Sequence, residues 1–325
     1  MLRLPNDGPA TGRPLAEVLA GDGPAAIVAA VAAALPPLAA RLAAGRLHGD
    51  PAALVGVNDS GDQQKALDVG AHEHMVAALA AAGVRRILSE EAEEIVEADP
   101  GGAFDVAMDP IDGSGSIGIG APLGMLFCIL PAAPEGFART GRAVVAAGYA
   151  SFGHSLDFGW SLGDGVHVAT WDAEAGLFRV VREKVVLKPA SSTVAYNASN
   201  ERHWPPGLQA WLADIRAGKD GPLGRDYNMR WLAAAVGELH RIVLQGGVFL
   251  YPQDRRPGYG NGRLRLAYEA LPIAFLMEQA GGAATDGRQP ILDRRPGGPH
   301  DFTPLIFGAR DEVRTILDYL SASKG

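Results

Sequence analysis

The sequence predicts a two-lobed, layered α/β/α sandwich, and three observations carry that expectation. A chain of 325 residues with 47% hydrophobic and 20% charged side chains reads as globular, yet it exceeds the roughly 250–300 residues that one hydrophobic core usually holds. Apolar runs of strand length alternate with longer stretches of helical periodicity in both halves of the chain. The pattern restarts near Lys188-Pro189, which divides the chain into a first lobe at 1–186 and a second at 187–325.

Residues 1–23, rich in Gly, Pro and Asp, are expected to form an irregular arm. The alanine-rich run at 24–40 reads as a core helix kinked or broken at Pro36-Pro37 and too short to span a bilayer, with helix prevailing to about Arg46. A second helix is expected at 71–82, ended by Gly83, and a strand at 84–88 then points at Ser89-Glu90-Glu91. The stretch 104–108 alternates as a strand does and delivers Asp109-Pro110 at its carboxyl end. Further strands are expected at 126–130, 143–150, 166–171 and 177–181, with Gly163-Asp164-Gly165 turning between antiparallel partners. The second half reads as helices at 206–217 and 227–240, a strand at 248–251, and a helical region at 266–280 closed by Gly281-Gly282.

Composition excludes several classes of function. A formal net charge of -8 with no basic run argues against a nucleic-acid partner. No charged start followed by an apolar stretch marks a signal peptide, and the reading is of a cytoplasmic protein with no membrane contact. The single cysteine, Cys128, forms no intrachain disulfide, and its apolar neighbours Phe127 and Ile129 make it a buried structural thiol rather than a nucleophile.

Carboxylates carry the chemistry. Asp109-Pro110-Ile111-Asp112-Gly113-Ser114 is preceded by Glu90-Glu91, by Gly61-Asp62-Gln63 and by Asp68. Mg²⁺ takes oxygen ligands and bridges phosphate oxygens, and several strand-end carboxylates supply that. Pro110 fixes one torsion, so that both aspartates and the Ile111 carbonyl converge. Gly113 permits close backbone approach, and Ser114, Gly115 and Ser116 open a helix whose free amides suit a phosphate. Any one of these acids alone is more simply a cap or turn former; the joint pattern favours a metal-assisted phosphoryl site.

The Asp-Pro-Ile-Asp-Gly-Ser run resembles the signature of the lithium-sensitive phosphatases, among them inositol monophosphatases and fructose bisphosphatases. Glu238-Leu239-His240-Arg241, Gly246 through Pro252, Asn261 through Glu269, and Met277 through Gly282 are similar to the sugar-phosphate lobe of class I fructose-1,6-bisphosphatases. The resemblance implies that Glu90, Glu91, Asp109, Asp112, the Ile111 carbonyl and Glu269 hold Mg²⁺, or Mn²⁺ in its place. It implies catalytic roles for Asp62, Asp68 and Glu91, with the general base left open between the two aspartates. Asp112, Gly113 and Ser114 would face the scissile phosphate, and Asn200, Arg230, Tyr251 and Arg263 the distal one. Arg230 taken alone reads as the solvated face of an amphipathic helix, and His240 as structural.

The implied reaction is removal of the 1-phosphate of fructose 1,6-bisphosphate to give fructose 6-phosphate. Arg263 where the family has lysine, Trp231 where it has tyrosine, and Gly115 and Ser116 where it has serine and asparagine leave room for sedoheptulose 1,7-bisphosphate. An inositol monophosphatase or nucleotide 3'-phosphatase, or an inactive sugar-phosphate sensor, are the alternatives. The resemblance also implies a homo-oligomer, dimer or tetramer, with no partner beyond a small sugar bisphosphate. It implies a missing AMP site, since Ala103, Phe104 and Pro131 stand where the family has lysine, tyrosine and arginine.

Overall fold

The computed structural model describes residues 4, 5, 7–57 and 63–323. The first half contains β1 (Arg13–Pro14), α1 (Leu15–Val18), α2 (Pro24–Ala43), β2 (Leu54–Val57), β3 (Gln63–Lys65), α3 (Ala66–Ala81), β4 (Arg86–Ser89), β5 (Val96–Glu97), β6 (Phe104–Asp112), β7 (Leu123–Pro131), β8 (Ala146–Phe152), β9 (Leu156–Ser161), β10 (Val166–Asp172) and β11 (Leu177–Val185). The second half contains β12 (Thr193–Tyr196), α4 (Pro206–Ala217), β13 (Asn228–Met229), α5 (Ala235–Gln245), β14 (Val248–Tyr251), β15 (Leu264–Arg265), α6 (Leu271–Gln279), β16 (Ala283–Thr285), β17 (Phe302–Thr303), β18 (Leu305–Gly308) and α7 (Arg310–Ala322).

Nine strands form one sheet in the order β1-β11-β10-β9-β8-β7-β6-β4-β5, and five form another in the order β13-β12-β14-β18-β16. Strand β7 shows why its sequence is apolar throughout. Leu123, Met125, Phe127 and Ile129 enter the core under α2 and α3, whereas Leu126, Cys128 and Leu130 enter the core under α5 and α6. The period-2 alternation is therefore between two apolar faces rather than between core and water. Helices α5 and α6 pack on the first sheet, α6 also on β16 and β18 of the second, and α4 with α7 covers its far side. The result is a layered α/β sandwich whose middle helices serve both sheets.

Five expectations need correction. Helix α2 runs through Pro36-Pro37 without ending. Two backbone bonds are lost there, and burial of Ile27, Val28, Val31, Leu35 and Leu38 against the sheet offsets them. At 20 residues α2 is also long and apolar enough to cross a membrane by length and composition, against the expectation that it is too short. The arm at 1–23 is partly ordered, with β1 pairing to β11 and α1 making a single turn. The helix expected at 227–240 begins only at Ala235. Residues 228–229 pair with β12, Ala233 takes φ 62, and the Leu232 N–H donates to Glu238 Oε1 at 2.7 Å, so the apolar spacing of Leu232, Val236 and Leu239 spans a turn and a helix. The expected helix at Ser114 is one turn of 3₁₀ geometry, Ser114–Ser116.

Candidate active site

Strands β4 and β6 are parallel neighbours, pairing Ser89 with Met108, so Glu90 just past β4 lies beside Asp109 of β6. In a regular strand Asp109 and Asp112, three residues apart, would point to opposite faces. Here Asp109 pairs with Leu126 and Asp112 with Gly124, so three steps on β6 oppose two on β7. One extra residue makes a bulge, which swings both aspartates to one side. Pro110, lacking an N–H, sits inside that bulge, and the Ile111 N–H donates to Asp109 Oδ1 at 2.9 Å. Gly113 follows with φ 84, where a Cβ would lie 2.7 Å from the Ala234 Cβ.

Glu269 comes from the other half of the chain. It lies in a wide π turn, Leu266–Ala270, that leads into α6. Pro272 has no N–H to close an ordinary helical bond there, and the looser turn lets the Glu269 carboxylate accept the Arg265 N–H. One oxygen each from Asp109, Asp112 and Glu269 lies within 4.8 Å of the others, and all three residues are buried. Glu90 hydrogen-bonds Asp109. Asp112 Oδ2 accepts the Val236 N–H, at the start of α5, at 2.6 Å.

So many buried carboxylates repel one another. Burial, then the charges of Glu90, Asp112 and Glu269, push Asp109 well above the usual carboxylate range, and burial with the Glu90 and Asp112 charges does the same to Glu269. Burial raises Glu90 to about 7 and Asp112 to about 6, the latter against hydrogen bonds from the Val236 and Gly113 amides. A hard cation answers such a set, because every donor is an oxygen and the net charge is negative.

The remaining expected residues fall in several places. Asp62 lies outside the described residues. Asp68 is buried at the start of α3, where its Oδ2 accepts the Lys65 N–H at 3.3 Å while Oδ1 has no partner, and burial raises it to about 6. Glu91 accepts from Gln64 Nε2 at 3.3 Å, through Oε2. Lys65, which sequence reasoning passed over, donates through Nζ to the Ser114 carbonyl at 2.5 Å and so ties α3 to the turn after Asp112.

Asn200 and Tyr251 line one cleft together with Trp204, Asp254 and Arg256. Arg256 was also missed. Its guanidinium lies 3.8 Å from the centre of the Tyr259 ring, and Arg263 lies 5.2 Å from the same ring and 5.1 Å from Phe302. Two guanidiniums thus share one tyrosine beside Tyr251. The signal for Arg256 is local: the Asp254 carboxylate two residues before it holds it at 2.5 Å, and Tyr259 lies three residues after it. Arg230 does not join this cleft: it is exposed between β13 and α5, its backbone N–H donating to the Val194 carbonyl at 2.9 Å and its guanidinium to the Met229 carbonyl at 3.1 Å.

Comparison with known proteins gives the same outline. Residues 42–183 match the family model "Fructose-1-6-bisphosphatase, N-terminal domain" and 187–321 the model "Fructose-1-6-bisphosphatase, C-terminal domain". The chain is 51% identical over 295 residues to a class 1 fructose-1,6-bisphosphatase of Brucella anthropi, covering 90% of this chain and 87% of that one. It is 52% identical over 283 residues to that of Brucella suis, covering 87% and 83%. A solved fructose-1,6-bisphosphatase of Leishmania major, in holo form, superposes with a TM-score of 0.87 at 27% identity, covering 97% of this chain and 99% of that one.

Proposed function

Because the chain belongs to the class 1 fructose-1,6-bisphosphatase family, we propose that it is the phosphatase its relatives are named for, hydrolysing fructose 1,6-bisphosphate at the 1-phosphate to give fructose 6-phosphate. The observation that carries this reading is the convergence of Asp109, Asp112 and Glu269 on one buried point. The donor set fits a divalent cation, and Mg²⁺, with Mn²⁺ as substitute, is the ion we assign to it. Glu90, Glu91, Asp109, Asp112, Glu269 and the Ile111 carbonyl would hold it; when bound, it neutralises phosphate charge and makes water a stronger nucleophile.

This chain's own groups do the rest. The Ser114 and Gly115 amides orient the scissile phosphate, the Gly113 and Ser116 amides being engaged by Asp112 and the Gly113 carbonyl, and Lys65 steadies that turn through the Ser114 carbonyl. Asp62 or Asp68 takes the proton of the attacking water, and the raised Asp68, with one unpartnered oxygen, is poised near neutral pH for it. Asn200, Tyr251 and Arg263, joined by Arg256, bind the distal phosphate, and that remote binding positions the reacting end. The first lobe at 1–186 carries most of the metal ligands and the second at 187–325 the sugar-phosphate groups. In a homo-oligomer, exposed Arg230 would reach a neighbour's substrate.

Phosphate release from a panel of substrates tests the reading. Fructose 1,6-bisphosphate turns over in Mg²⁺ and not in excess chelator, sedoheptulose 1,7-bisphosphate follows, and fructose 6-phosphate and inositol 1-phosphate lag far behind. Comparable turnover of inositol 1-phosphate, or full activity in chelator, overturns it.

A further inference from the structure

Helix α5, which offers its Val236 N–H to Asp112, is held one turn later by a polar cluster to which the proposed reaction gives no role. His240 is four residues beyond Val236, about 6 Å along the helix axis. The Tyr149 hydroxyl and His240 Nδ1 are 3.0 Å apart, and His240 Nε2 faces Asp157 Oδ2 at 3.5 Å. Asp157 also accepts from Ser155 Oγ through Oδ2 and from Thr170 Oγ1 through Oδ1, each at 2.5 Å. Burial pushes the Tyr149 hydroxyl up, so it keeps its proton and donates to Nδ1, which leaves Nε2–H for Asp157. Burial would raise Asp157, but hydrogen bonds from His240, Ser155 and Thr170 outweigh it and hold the group below the usual carboxylate range, so it is a fixed anion.

The cluster is built into the sheet rather than laid on it. Tyr149 is fully buried on β8, and Gly159 on β9 makes room for its ring, since a Cβ there would lie 2.1 Å from Tyr149 Cε1. Asp157 and Thr170 face each other across the β9 and β10 pair. Both the sheet and Asp112 thus hold α5, through contacts one turn apart. The helix cannot rotate or slide without loosening one of them.

We propose that Tyr149, His240 and Asp157 are positioning residues for the hydrolysis: they fix the rotation and depth of α5, and through the Val236 N–H they aim the Asp112 carboxylate at Asp109 and Glu269. The inference rests on the reading that Asp112 holds the divalent cation. Among the described residues His240 meets Tyr149 and Asp157 and none of the expected metal or substrate groups, so its effect on metal binding passes through the helix.

The test is calorimetric titration of the metal-free protein with Mn²⁺, alongside steady-state kinetics in Mg²⁺, on Tyr149→Phe, Asp157→Asn, their double variant, His240→Ala and Asp112→Asn. His240→Ala weakens Mn²⁺ binding about 10-fold, the low end of the cost of changing outer-sphere partners of a metal site, and lowers kcat while KM changes less than about twofold. Tyr149→Phe and Asp157→Asn each give part of that loss, and their double variant loses no more than His240→Ala, because both act through one imidazole. Tyr149→Phe removes a single hydroxyl and keeps the test usable if His240→Ala does not fold. If Asp112→Asn weakens Mn²⁺ binding while Tyr149→Phe and His240→Ala lower only the melting temperature, the relay is overturned and the metal site stands. If Asp112→Asn binds Mn²⁺ as the parent does, the assignment of Asp112 fails and the inference falls with it.

Discussion

Asp109, 2% exposed among Glu90, Asp112 and Glu269, is a carboxyl group that the fold holds where ionisation is unfavourable. Asp109→Asn should therefore lose activity by at least about 100-fold while raising the melting temperature of the metal-free protein, a pair of outcomes read by kinetics and calorimetry. The same strain gives a pH dependence. The folded-state values of about 6 for Asp68 and Asp112 and about 7 for Glu90 lie above those of unfolded carboxylates. Each group then contributes stability that is full below the unfolded value and lost as pH rises through the folded one, here up to about pH 7. Bound cation reverses the penalty, so Mg²⁺ should raise the melting temperature more at pH 8 than at pH 5.5; an equal rise at both would count against the cluster as the binding site. On the distal side, Arg256→Ala should raise KM about tenfold or more, a charged hydrogen bond being worth about 1.5–3 kcal/mol. The acids at 109 and 112 were legible because one hexapeptide holds them. Arg256 was not, because only the folded chain brings it into one cleft with Asn200 and Trp204.

At the scale of elements, the bulge in β6 explains why a three-residue spacing works at all. It leaves one residue of β6 without an opposite on β7, and Gly113 beyond it occupies space that no side chain shares with Ala234. Gly113→Ala carries both a positive-φ cost and that clash, so it should destabilise by about 1–3 kcal/mol, measured by urea unfolding, and should push α5 away from Asp112. Strands and helices with a clean period were readable: 206–217 and 248–251 fall where the pattern puts them. The segment at 227–240 was not, because Glu238 turns its side chain back on the Leu232 amide and the apolar spacing continues through a non-helical turn. The unbroken α2 was missed for a different reason, since burial of a whole face outweighs what two prolines remove.

For the molecule as a whole, the expected indifference to AMP gains support from ion pairing. Beside the absent basic residues at Ala103, Phe104 and Pro131, the two cations best able to replace them are engaged: Arg13 with Glu183 at 2.9 Å, and Arg142 with Glu278 at 2.6 Å and Asp293 at 2.7 Å. AMP titrated at saturating Mg²⁺ and low substrate should leave the rate unchanged, and inhibition in the micromolar range would show that a nucleotide site exists. The two sheets end on very short strands, β1 with Pro14 and β5 on one, β13 and β16 on the other, of two or three residues each. Such margins offer a stranger's backbone almost no ladder to join. A crowded solution of this chain is thus guarded against stacking into fibrils along these two sheets by the brevity of their own borders.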